Sequence, residues 1–205
     1  MRYRKALLFL CMIPALSGCS QNREEGKLPE SEPISLAPAH NSGAELTASA
    51  VSGLKFTAPD GWISETPTSS MRQAQYRIPR AEGDVEDAEL TVFFFQGGGG
   101  GVQANVDRWI GQFSKADGSP ANATAKTAHK IVHGIPLTIV DVTGTYDGGM
   151  SMQKEPALRP DYRMLAVVAE AADGPWFFKL TGPEKTVLKW QPSFEAFLDS
   201  IAPGK

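Results

Sequence analysis

Residues 90–113 constrain this chain more than any other stretch. They read LTVFFF, then QGGGGG, then VQANVDRWIGQF: a strand-forming run, five consecutive glycines at 97–101, and an amphipathic segment. Val102, Val106, Trp109, Ile110 and Phe113 recur at i, i+4, i+7, i+8 and i+11, one apolar stripe at the helical period. Asn105, Arg108 and Gln112 fall on a flank of that stripe, and Asp107 on its polar side. The spacing predicts a strand, a glycine connection and a helix. FFFQ shows no alternation, which predicts burial on both faces of the strand.

Around this unit the remaining segments read mainly as strands. Residues 54–58 alternate at period two and end in the turn signal Pro59-Asp60-Gly61. Residues 72–80 form a second strand stopped by Pro79, and the acidic run 81–88 is the hairpin loop that follows. After a polar loop at 114–125, residues 126–133 and 135–146 read as two strands around Gly134. In the second of these Ile135, Leu137 and Ile139 face one way, and Val140 and Val142 the other. Residues 151–161 form a loop. Residues 162–171 and 176–181 form a hairpin across Asp173-Gly174-Pro175. A closing helix starts at Gly182-Pro183, and Pro192 kinks it or divides it. The expected fold class is α+β: a mostly antiparallel sheet of six or seven strands with helices packed on both faces.

The first 53 residues have a different character. Arg2, Arg4 and Lys5 precede the apolar run 6–13, the pattern of a secretory signal, and that run is far short of the ~20 residues that span a bilayer. Leu16-Ser17-Gly18-Cys19 resembles a bacterial lipobox, which makes residues 1–18 a lipoprotein signal peptide and Cys19 a lipidated first mature residue. Diacylglycerol and amide-linked chains at Cys19 would give stable membrane attachment. Ser20, by resemblance to Gram-negative lipoproteins, favours the outer membrane in a cell that has one.

Residues 19–53 carry no aromatic residue and are rich in Ser, Pro, Glu, Ala and Gly, which predicts a disordered tether. Fully extended, it reaches on the order of 110 Å. Residues 54–205 then form the folded domain. Cys11 leaves with the signal and Cys19 carries lipid, so no disulfide is expected. The whole chain has 20 Lys+Arg against 23 Asp+Glu. Loss of the three basic residues in the signal leaves 17 against 23, a net charge of −6. A net acidic domain has no electrostatic footprint for nucleic acid.

FTAPDGW at 56–62, the glycine run with the helix after it, and FFKLTGP before the closing helix resemble a group of bacterial lipoproteins without assigned activity. These are similar to the PsbP-like α/β/α sandwich, named for a lumenal subunit of photosystem II. The resemblance covers about residues 54–202. It implies a fold used for docking or assembly and brings no catalytic residues with it.

Five glycines before a helix suggest anion binding, since amide N–H groups and the helix dipole attract negative charge there. Val102-Gln103 stands where a P-loop requires Lys-Ser/Thr, so the plainer reading is a close-packed connection. Gly99, Gly100 and Gly101 with Asn105, Arg108, Trp109 and Gln112 are the candidate ligand or partner surface, because an arginine beside a tryptophan suits a carboxylate, a peptide or a protein partner. The plainer reading makes Trp109 core and has Arg108 fix a loop. His129 and His133 lie about 13 Å apart on a strand and cannot share an ion. Asp84, Glu86, Asp87 and Glu89 lack the spacing of a calcium loop and read as a soluble hairpin.

Residues 54–205 contain no Gly-x-Ser-x-Gly elbow, no cysteine and no histidine with an obvious acid partner. The expected function is a membrane-anchored, non-catalytic binding or assembly module of the cell envelope, with no cofactor or metal and an envelope protein as partner. The alternative is an envelope enzyme or small-ligand-binding protein that uses residues 97–112, with Arg108 and an acid such as Asp141 or Asp147 in the site.

Overall fold

The computed structural model describes residues 53–96, 98–148 and 158–204. Cys19 and the expected signal and tether lie outside the described residues, as do Gly97 and most of the 151–161 loop. Among the described residues ten strands and two α-helices follow one another: β1 Leu54–Lys55, β2 Ile63–Glu65, β3 Arg72–Ile78, β4 Ala88–Phe94, α1 Val102–Ile110, β5 Phe113–Ser114, β6 Lys126–Val132, β7 Ile135–Tyr146, β8 Arg159–Ala171, β9 Gly174–Pro183, α2 Glu184–Asp199 and β10 Ala202–Pro203. Among the described residues, no helix is long and apolar enough to cross a membrane.

Eight strands build one antiparallel sheet in the order β2-β3-β4-β9-β8-β7, with β5 and β6 both paired to β7. β1 and β10 form a separate two-stranded ladder that joins the start of the domain to its end. The sheet is therefore larger than the six or seven strands expected. The additions are β2 and β5; β5 straddles the expected end of the helical stripe at Phe113 and the start of the polar loop, and segments of two or three residues carry too little pattern to be read as strands.

The long central strands alternate between two hydrophobic clusters. Leu165, Val167 and Ala169 of β8 and Trp176, Phe178 and Leu180 of β9 join Leu90 and Val92 of β4. Val187, Phe194, Phe197 and Leu198 of α2 complete this first cluster. Met164, Ala166 and Val168 of β8 and Phe177 of β9 instead join Val106, Trp109 and Ile110 of α1. β7 divides as its alternation predicts: Ile135 and Leu137 enter the first cluster with Ile139 packed against it, and Val140 and Val142 enter the second. Burying side chains of both parities is what turns these strands into near-continuous apolar runs.

Several local expectations are corrected. Phe93, Phe94 and Phe95 are only half-buried, so FFF is not enclosed on both faces. The Leu54 strand is two residues long rather than five. α1 ends at Ile110, where the Gly111 N–H bonds the Asp107 carbonyl at 2.9 Å; Phe113 extends the stripe only in sequence and belongs to β5. Gly182 and Pro183 remain in β9, and α2 begins at Glu184. Pro192 does not divide α2, which runs unbroken from 184 to 199. Burial of Val187 before it and of Phe194, Phe197 and Leu198 after it outweighs the ~3 kcal/mol that an interior proline costs.

Candidate functional site

The strand-to-helix connection is organised by Asn105. This side chain is 1% exposed rather than displayed on a flank. Its Nδ2 donates to the carbonyls of Gly99 (3.0 Å), Gly100 (3.4 Å) and Gly101 (3.0 Å). Three carbonyls can converge on one amide only if the backbone curls tightly, and Gly98 and Gly100 supply it with φ of +108° and +86°. Gly99 is needed for a different reason: an added Cβ would lie 2.9 Å from ring atoms of both Phe177 and Phe95. Arg108 donates in turn to Asn105 Oδ1, which fixes the amide's orientation. Trp109 is 5% exposed and meets Phe177 edge-on at 6.1 Å. The glycines, Asn105 and Trp109 therefore serve the fold, and exposed Arg108 braces them.

Gln112, placed by the helical pattern on the same flank, lies beyond the helix end and reaches a residue the sequence did not single out. Its Oε1 accepts from Lys179 Nζ at 2.7 Å. Lys179 sits on β9 between Phe178 and Leu180, in the alternation that carries Phe177 into the α1 cluster. Register places it between Thr91 of β4 and Ala166 of β8. Its ammonium also donates to Tyr146 Oη at 3.3 Å and lies 5.2 Å from the centre of the Tyr146 ring.

Burial, reinforced by the positive charge of Arg108, pushes the Lys179 amine down to about 8, with Asp147 and Glu89 acting in the opposite sense. Protein encloses the amine on most sides, and it lines a cavity of about 390 Å³. The wall comprises Arg72, Glu89, Thr91 and Phe93 from β3 and β4, Gln112 and Tyr146 from the α1 side, and Glu86, Arg159 and Tyr162 at the far rim. The rim carboxylates are engaged by arginines: Arg72–Glu89 at 2.9 Å, Arg77–Asp87 at 3.0 Å and Arg159–Glu86 at 4.0 Å. Tyr146 and Tyr162 stack at 5.8 Å, and burial pushes the Tyr162 hydroxyl up to about 12. Lys179 differs from the arginines in that its hydrogen bonds go to neutral oxygens.

A second cavity, about 190 Å³, adjoins the first; the two share Phe93 and Lys179. Its wall is Phe93, Phe95, Phe177 and Trp109, with Arg108 and Lys179 as the polar members. The structure thus brings Arg108, Trp109 and Gln112 together around Lys179 and leaves Gly99, Gly100, Gly101 and Asn105 as the support behind them. Lysine amid apolar neighbours in FFKLT was the available signal; strand alternation alone reads it as an ordinary solvated side chain.

The other candidates lie elsewhere. Asp141 does not meet Arg108: it forms a bidentate pair with Arg163, both bonds 2.9 Å, and Gln191 of α2 accepts from the same guanidinium. His129 bonds Thr138 and His133 bonds the Ile201 carbonyl, and His133 forms a two-residue turn with Gly134 instead of ending β6. Asp84 accepts from both the backbone N–H and the hydroxyl of Thr186, capping α2 from a distant loop.

No protein-family model and no curated protein matches this sequence. Solved structures similar to the chain include the PsbP protein of the cyanobacterium Synechocystis sp. PCC 6803, at 12% identity and a TM-score of 0.43, over 73% of this chain and 85% of that one. They also include PA94, a Pseudomonas aeruginosa protein of unknown function, at 14% identity and a TM-score of 0.41, over 71% of this chain and 88% of that one.

Proposed function

We propose that this protein is a membrane-tethered, non-catalytic binding module of the cell envelope, and that it captures an anionic ligand at Lys179. In this reading Cys19 carries the lipid and residues 19–53 are the tether. The domain is an α/β/α sandwich of the PsbP-like kind, with α1 and α2 on opposite faces of the sheet. Assembly with an envelope partner would use the surface around Arg108.

One observation carries the ligand assignment. A lysine amine lies at the floor of an open cavity, hydrogen-bonded to Gln112 and Tyr146, while the neighbouring arginines already hold carboxylates. A half-buried cation whose hydrogen bonds go to neutral groups is poorly compensated, and an incoming anion restores the balance. The thermal stability of the full-length chain in detergent, measured against carboxylate and phosphate salts, tests this. A ligand at a hundred times its Kd should stabilise the fold by about 2.7 kcal/mol, an effect Lys179→Met should abolish. Equal stabilisation of wild type and variant by every anion would sink the assignment.

A further inference from the structure

The two adjoining cavities differ in character and meet at one amine. We infer that together they form a bipartite pocket for a small amphipathic monocarboxylate, whose acid group sits at Lys179 and whose single apolar arm fills the aromatic annex beside α1. This rests on the anion-binding reading and adds the ligand's shape and charge.

The annex, about 190 Å³, is walled by Phe93, Phe95, Phe177 and Trp109, with ring centres of successive pairs 5.8–6.3 Å apart. That space suits one ring or a short branched acyl group, and apolar walls reward an apolar occupant by the area withdrawn from water. Phe93 and Phe95 are half-buried, so a part of their surface is still open to such contact. Lys179 stands where the annex joins the larger cavity, and Arg108 is the annex's second cation; both favour a carboxylate.

Charge on the opposite side limits the ligand to one negative group. Glu86, Asp87 and Glu89 line the larger cavity beside Arg72 and Arg159, and both arginines are already held by carboxylates, so a second anionic group extending into it meets a charge-balanced wall. Each is engaged by an arginine, but a hydroxyl or amide on the ligand still finds acceptors there. A dianion is therefore disfavoured and a monocarboxylate with a polar tail is tolerated.

The test is calorimetric titration of the full-length chain in detergent with phenylacetate, acetate, phenylacetamide and inorganic phosphate. Wild type, Lys179→Met and Phe95→Ala would be compared, each first checked for a cooperative melt. Phenylacetate should bind at least about tenfold more tightly than acetate or phenylacetamide. Lys179→Met should lower phenylacetate to the level of the amide, and Phe95→Ala should erase the preference over acetate. Acetate or phosphate matching phenylacetate in the wild type would overturn the bipartite pocket and leave the anion site standing. No anion binding at all, or phenylacetate binding unchanged in Lys179→Met, would overturn both.

Discussion

At Lys179 the alternation of β9 places an ammonium where its neighbours along the strand are phenylalanine and leucine. The folded-state value of about 8 lies below the 10.5 of an unperturbed lysine, chiefly through burial. The unfolded chain therefore binds more protons than the folded one between about pH 8 and 10.5, and stability rises with pH across that window. Below pH 8 the penalty is fully present. Arg108, Arg72, Glu89, Asp147 and Tyr146 are the charged and titratable groups that act on the amine. Lys179→Met should accordingly raise stability at pH 7 by about 1–2 kcal/mol, after allowance for solvent in the cavity and for two lost hydrogen bonds. The gain should shrink by pH 10, and denaturant melts at the two pH values would check it. Asn105 is the opposite case, a buried amide with every donor committed. Asn105→Ala removes the side-chain donor from the Gly99 and Gly100 carbonyls, leaves Gly101 with only the backbone N–H of residue 105, and should cost about 1–3 kcal/mol. Hydrogen exchange at 98–102 should quicken in that variant more than exchange in β8. Neither role was legible from spacing. Asn105 sits on a flank of the apolar stripe, and only the left-handed turns at Gly98 and Gly100 bring the carbonyls to it.

Among the elements, those with an unambiguous period were readable. β7 divides its side chains between two clusters as the change of parity between Ile139 and Val140 implies, and α1 buries Val106, Trp109 and Ile110 of the stripe that its spacing predicts. What failed to show was set by partners remote in sequence. β5 exists because Phe113 and Ser114 find Tyr146 and Thr145. α2 lacks a side-chain cap of its own and takes one from Asp84, about a hundred positions earlier. The Asp141–Arg163 pair is likewise a tertiary feature, joining β7 to β8 and, through Gln191, to α2. Arg163 is only 8% exposed. Asp141→Ala leaves that guanidinium without its carboxylate and should destabilise the protein by about 3 kcal/mol. If the melting temperature stays within a degree of wild type, the pair does not join these three elements energetically.

On the scale of the whole molecule, sequence patterning conveyed an α+β chain with a mainly antiparallel sheet, because strand periodicity and turn residues are local. It conveyed less about the cavity, which forms where β4, β9 and the end of β7 converge. Its walls come from six separate segments. The proposed anchor makes a separate prediction: Cys19→Ser should move the protein from the membrane fraction to the soluble one without changing the domain's melting temperature. The β1–β10 ladder then acquires a mechanical meaning. Tension arriving along residues 19–52 meets two ladder pairs, Leu54–Pro203 and Lys55–Ala202, and the Gly204 N–H bond to the Gly53 carbonyl. Such a short ladder peels one pair at a time and resists little. The load next reaches Phe56, wedged at 5.6 Å from Phe178 and 5.3 Å from Phe197, and passes into the cluster that α2 completes. The Lys179 cavity belongs to the other cluster's side of the alternation. A pull on the tether is therefore met first on the side of the β9 alternation that carries Phe178, not the side that carries Lys179.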